Sequence, residues 1–125
     1  MRPAEVTGPM TMKHISAVTL AVRDMARAVR FYRNVGLEMS YGGENASFTS
    51  FRIGRDSLNL VLDPSREPAW WGRVILRVEG VDKRYRQLKG SGLEPDEPRD
   101  GEWGERYFHI TDPDGHELSF AEPLE

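Results

Sequence analysis

The chain has 125 residues, 38% hydrophobic and 30% charged, with a formal net charge of −3 at pH 7 and no cysteine. That length fits one domain burying roughly two-thirds of its unfolded surface, and the missing cysteines exclude disulfides and thiolate metal sites. No apolar run approaches the roughly 18 residues of a membrane span, and basic residues scattered rather than striped argue against nucleic acid as a partner.

No charged and then apolar leader opens the chain, so the cytoplasm is the expected compartment. Residues 1–12 carry two prolines, a glycine and no periodic pattern, and read as a flexible arm. Residues 15–22 alternate and are rich in β-branched side chains, which predicts a strand. Asp24 stands at an N-cap position. Met25, Ala28, Val29, Tyr32 and Val35 follow at helical spacing, and Gly36 ends the helix. Strands are expected at 37–42, 46–53 and 57–62, with Gly54-Arg55-Asp56 as a turn. A linker covers 64–72. A strand follows at 73–78, then a short helix with Val81, Tyr85 and Leu88 on one face. Runs 106–111 and 116–121 flank Asp112-Pro113-Asp114-Gly115, where proline and glycine suit a turn, so a closing β-hairpin is expected.

The second half repeats the first. Gly92-Leu93-Glu94 echoes Gly36-Leu37-Glu38 at an offset of 56 residues, and Phe108-His109-Ile110 echoes Phe51-Arg52-Ile53 at 57. The order β-α-β-β-β therefore occurs twice, as an internal duplication. Neither half is large enough to bury both faces of its own sheet, so the two must associate. Alternation places Val18, Leu20, Val22, Val74, Leu76 and Val78 under the helices. Ala17, Thr19, Arg73, Ile75 and Arg77 then lie on the opposite faces.

The stretch Phe108-His-Ile-Thr-Asp-Pro-Asp-Gly-His-Glu-Leu-Ser-Phe120 resembles the closing hairpin of the vicinal oxygen chelate superfamily. That superfamily holds glyoxalase I, extradiol dioxygenases, and fosfomycin and bleomycin resistance proteins. Trp103-Gly104-Glu105-Arg106 is most similar to its bleomycin-resistance and glyoxalase-like branch. The resemblance spans residues 13–123 and implies an α+β fold. Two βαβββ modules, 13–63 and 73–123, would form a curved mixed sheet around a cleft. It also implies four metal-ligand positions. The first strand's position stands seven residues before Asp24, at Ala17, and its repeat mate is Arg73. The fourth-strand positions fall at Asn59 and Ser119. Alanine has no donor atom, arginine stays cationic, and asparagine and serine are weak ligands for transition metals. No metal or other cofactor is expected.

Three histidines and one carboxylate remain. His14 lies too early in the first strand. A tight hairpin pairs Thr111 with His116 and Ile110 with Glu117. His109 and His116 then share a face opposite Glu117 and Ser119, a parity that a bulge at Gly115 would reverse. On the tight pairing His109 is a packed, hydrogen-bonded residue and His116 a rim residue. What remains in the cleft is aromatic: Phe51, Trp70, Trp71, Trp103, Tyr107 and Phe108, with Asn59, Arg73 and Glu117 as polar companions. Such faces stack on planar ligands. Arg73 favours an anionic or carbonyl-bearing ligand unless Glu117 pairs with it. The resemblance implies a homodimer that binds a small organic molecule, with antibiotic sequestration as one form. The alternative is a glyoxalase-like lyase or isomerase, or a dioxygenase-type enzyme, with a non-standard or absent metal site and Glu117 or a histidine as base.

Overall fold

The computed structural model describes residues 11–125. The arm expected over residues 1–12 falls outside them except at Thr11 and Met12, which carry no regular structure. In chain order the elements are β1 (Ala17–Val22), α1 (Met25–Val35), β2 (Glu38–Tyr41), β3 (Phe48–Ile53), β4 (Asp56–Leu62), β5 (Arg73–Arg77), α2 (Val81–Gly90), β6 (Arg99–Asp100), β7 (Glu105–Thr111) and β8 (Glu117–Pro123). Each module builds its own four-stranded mixed sheet, in the orders β1-β4-β3-β2 and β5-β8-β7-β6. The parallel pairs β1–β4 and β5–β8 occupy equivalent places, as a duplication requires.

Helix α1 forms where its apolar spacing and caps agree. The Asp24 side chain accepts a hydrogen bond from the Arg27 N–H at 3.1 Å, and Gly36 closes the helix at φ +108°, a conformation only glycine adopts cheaply. Met25, Ala28, Val29, Tyr32 and Val35 are all buried. They pack on Leu20, Val22, Leu58 and Leu60 in a core shared with Leu76, Val81, Leu88 and Phe120 of the second module. The N-terminus of α2 is capped from β8: the Glu122 carboxylate accepts from the N–H of Gly80 at 2.9 Å and of Val81 at 2.8 Å.

The repeat is imperfect at β6. Where module one has the four-residue strand β2, module two has only two residues of strand. Pro95 and Pro98 precede it and lack the N–H groups a ladder needs. Asp96 lies between them and still binds β7, donating its N–H to the His109 carbonyl and accepting the His109 N–H at 2.6 Å.

Two contacts lock the modules together. Tyr32 of α1 donates its hydroxyl to Asp112 at 2.6 Å. Arg23, in the corner between β1 and α1, donates its backbone N–H and its Nε to Asp114, both at 2.9 Å, and Nη2 to the Pro113 carbonyl at 2.9 Å. The Asp112-Pro113-Asp114-Gly115 turn is therefore the seat of the inter-module clasp as well as a hairpin end.

Candidate functional site

The closing hairpin sets the geometry of the site, and it departs from the tight pairing. Thr111 lies opposite Glu117, Ile110 opposite Leu118 and His109 opposite Ser119. The turn holds one residue more than the tight form. Asp112 donates its N–H to the His116 carbonyl at 2.8 Å, Gly115 bonds back to the Asp112 carbonyl, and Gly115 sits at φ +86°. The Asp112 carboxylate gathers the N–H groups of Asp114 and His116 at 2.9 and 2.8 Å. This is a turn followed by a left-handed bulge glycine. The added residue reverses the parity. His109, Ser119 and Glu117 share the face away from the helices, and His116 turns inward.

The two histidines thus exchange the roles expected of them. His116 is 2% exposed. Its Nδ1 accepts from the Trp71 indole N–H at 2.6 Å, and its Nε2 lies 2.7 Å from the Ala21 carbonyl. With Nε2 carrying the proton, both nitrogens are satisfied and the ring pins β8 to the outer edge of β1. His109 instead faces the cleft. Its Nδ1 is shut from solvent with no hydrogen-bond partner among the described residues. Burial lowers its pKa below the ordinary imidazole value; Arg73 and Arg99 add to that, against Glu117 and Asp96.

Two residues expected in the cleft belong to the core. Phe51 and Phe108 are fully buried. Phe51 meets Tyr32 at 5.8 Å between ring centroids, and Phe108 stacks on Phe120 at 5.1 Å and meets Tyr85. Each sits opposite a core residue, Leu58 and Phe120 respectively, so strand alternation turns them toward the helices.

The other candidates line the open face of module two and its border. Trp70 donates its indole N–H to Glu117 at 2.9 Å, and Arg73 donates Nε to the same Glu117 oxygen at 2.7 Å. The guanidinium also lies 5.8 Å from the Trp70 ring centroid. Burial of Glu117 favours its neutral form, but the bonds from Trp70 and Arg73 outweigh this, and its pKa is lowered. Further along, Trp103 lies on Tyr107 at 5.0 Å with its N–H on Glu105. Arg99 covers Tyr107 at 4.7 Å, and His109 adjoins it at 5.1 Å. Trp103-Tyr107-His109 is a continuous aromatic shelf. In module one the matching face carries Asn59, which accepts from the Ser50 hydroxyl at 2.7 Å and donates to Thr19 at 3.3 Å.

Where the starts of β1, β4 and β5 converge, a groove of about 490 Å³ opens, lined by Ile15, Ala17, Ser57, Trp71, Arg73 and Ile75 among others. That volume suits a drug-sized molecule. Ala17 and Arg73, two of the four metal positions, lie in it. The residues present do not fit a metal. Ala17 offers no donor, Arg73 is engaged by Glu117, Asn59 is held by Ser50 and Thr19, and Ser119 brings only a hydroxyl. Among the described residues no three His, Cys, Asp or Glu side chains come together as a metal cluster. His14 is drawn off to Asp56 at 3.2 Å.

Two βαβββ modules, each with its own four-stranded mixed sheet and with a groove where they meet, define the class of fold. The sequence profile of the Glyoxalase/Bleomycin resistance protein/Dioxygenase superfamily matches residues 12–120, and the chain belongs to that family. No curated protein is similar enough to count as a match. Among solved structures, a bleomycin-binding protein complexed with bleomycin is 24% identical, with a TM-score of 0.74 over 89% of this chain and 98% of that one. A glyoxalase family protein from Bacillus anthracis is 20% identical, with a TM-score of 0.79 over 92% and 98%. Lactoylglutathione lyase from Agrobacterium tumefaciens is 21% identical, with a TM-score of 0.72 over 90% and 95%. At these identities the likeness is one of fold. Among the described residues no helix is long and apolar enough to cross a membrane.

Proposed function

We propose that this protein binds a small aromatic molecule in its cleft without a metal, acting by sequestration rather than turnover. The observation that carries the reading is the composition of the convergent groove. The positions that would hold metal ligands are Ala17 and Arg73, while mostly apolar side chains and the Trp71 indole line the walls. The shelf of Trp103 on Tyr107 adds a flat surface for a planar ring. Glu117 is a poor candidate base, since its lowered pKa leaves little drive to take up a proton. That one family structure is of a bleomycin-binding protein supports an aromatic antibiotic as ligand.

A homodimer in the cytoplasm belongs to the same reading. Ile75, Trp70 and Trp103 are each at least 60% exposed, and apolar surface of that kind is costly unless a ligand or second subunit covers it. A metal-free lyase or isomerase is the second reading; it rests on His109, whose cleft-facing ring keeps an unpartnered nitrogen.

The test is elemental analysis of protein incubated with nickel, zinc, iron and manganese and then desalted. The expected result is far less than one metal per subunit. Thermal shift and tryptophan quenching with aromatic antibiotics should then show stoichiometric binding, with light scattering giving a dimer mass. One tightly held metal per subunit would refute the reading.

A further inference from the structure

The open face of module two holds hydrogen-bond donors that no protein group uses. His109 and Ser119 are direct cross-strand neighbours. Near them on the same face stands Arg73, two register pairs from Ser119 along β5 and β8. The three line a small hollow of about 60 Å³ with Ile75, Trp103 and Tyr107. Arg73 spends only Nε on Glu117, which leaves its terminal nitrogens free among the described residues. Ser119 is 2% exposed, and its hydroxyl has no partner there either. At His109 the buried, partnerless Nδ1 selects the tautomer. Nδ1 is unpartnered in either tautomer, but a proton on Nε2, which is not among the buried unpartnered atoms, strands only a lone pair at Nδ1 rather than an N–H. The imidazole therefore offers one N–H while staying neutral.

The charges decide what those donors accept. Arg73 is already compensated by Glu117, Arg99 by Asp96, and Glu105 lies on the hollow's rim. A carboxylate would add a third anion beside Glu117 and Glu105. A cation would meet the Arg73 guanidinium and the His109 N–H, with the nearby carboxylates already engaged by Arg73, Trp70 and Trp103. A neutral oxygen acceptor meets neither conflict. The hollow takes a terminal group of a few atoms, and the Trp103-Tyr107 shelf beside it takes the ring that carries the group.

We propose that Arg73, His109 and Ser119 form a carbonyl-recognition site, which selects aromatic ketones and amides and seats the ring on Tyr107 and Trp103. The proposal rests on the reading of the cleft as an aromatic-ligand site and names the polar group that ligand must carry.

The test uses the full chain with 2-acetonaphthone, its isostere 2-isopropenylnaphthalene, in which a methylene replaces the oxygen, and 2-naphthylmethylamine as the cation. Affinities come from calorimetry. The carbonyl stretch of ¹³C-labelled ketone is read by difference infrared spectroscopy. The ketone should bind at least about tenfold tighter than the isostere, because a site built to donate is left unpaired by the analogue. Its carbonyl band should move to lower frequency on binding. Ser119→Ala and His109→Phe should each lower the ratio of ketone to isostere affinity about three- to tenfold and reduce the band shift. His109→Gln, which keeps an N–H donor, should recover part of the loss. Circular dichroism checks that each variant is folded. Equal binding of ketone and isostere, an unshifted band, or tighter binding of the amine would overturn the proposal and leave the aromatic-ligand reading standing. Failure of all three naphthalenes to bind would overturn both.

Discussion

Replacing Tyr32 with phenylalanine isolates one bond of the inter-module clasp. The ring keeps its packing against Phe31 and Phe51, so no large cavity opens. What is lost is a 2.6 Å donor to Asp112, a carboxylate 4% exposed. A bond to a charged acceptor contributes about 1.5–3 kcal/mol, and a domain of this size loses about 3–5 °C in Tm per kcal/mol. The expected drop is about 5–15 °C near neutral pH. The pH dependence sharpens the test. Burial raises the Asp112 pKa, while the Tyr32 hydroxyl and the amides of His116 and Asp114 pull it partly back. A raised carboxyl supports folding below the ordinary carboxylate range, and that support is lost as pH rises through the folded pKa. Tyr32→Phe removes one group that pulls the value down. The pKa climbs further, and the cost of keeping Asp112 ionised grows. Thermal melts by circular dichroism from about pH 4 to about pH 8 should therefore show the gap between variant and parent widening with pH. A gap under about 2 °C at neutral pH, or one independent of pH, would refute this account of the clasp.

Three further outcomes follow from the site and its turn. Gly115→Ala should cost about 1–3 kcal/mol by thermal melt, because φ is +86° and a Cβ would lie 3.0 Å from the Ala69 backbone. Trp103→Ala should change stability by less than about 1 kcal/mol, since the side chain is 64% exposed, yet weaken an aromatic ligand about tenfold in a quenching titration. Glu117→Gln should lower Tm by a few degrees at neutral pH. The lowered Glu117 pKa supplies stability above the ordinary carboxylate range, lost as pH falls through its folded value. Variant and parent melts should converge in acid.

Much of the architecture is legible in the sequence. Helix α1 follows from five apolar residues at helical spacing between Asp24 and Gly36, where local and tertiary preferences agree. The echo of Gly36-Leu37-Glu38 at Gly92-Leu93-Glu94 exposed the duplication, but not the shortening of β6. Pro95 and Pro98 were the available signal for that, since each removes a ladder donor. The faces of the last hairpin were harder. Side chains alternate with a period of two, so one added residue in a turn moves every subsequent side chain to the other side. A glycine in fourth place after Asp-Pro-Asp is the usual mark of a bulged closure. That glycine is the signal in the sequence that places His109 in the cleft and His116 inside. Phe51 and Phe108 were misplaced for a different reason. Aromatic residues suit a ligand site and a core equally, and only their cross-strand partners, Leu58 and Phe120, decide between them.

The clasp also bears on how far the two halves remain copies of each other. At the corner where module one has Arg23-Asp24, the repeat offset of 56 residues lands on Glu79-Gly80, and the charge is reversed. Where module two joins its last strands through Asp112-Pro113-Asp114-Gly115, module one turns on Gly54-Arg55 alone. Socket and plug therefore sit on opposite halves. Two first modules would bring together two Arg23 corners with no carboxylate to receive them, and two second modules would bury Asp114 with no guanidinium in reach. The twofold kinship of the halves survives in their topology, but it has been broken in their recognition. Each half is now fitted to the other and not to itself, which ties the chain to one internal arrangement.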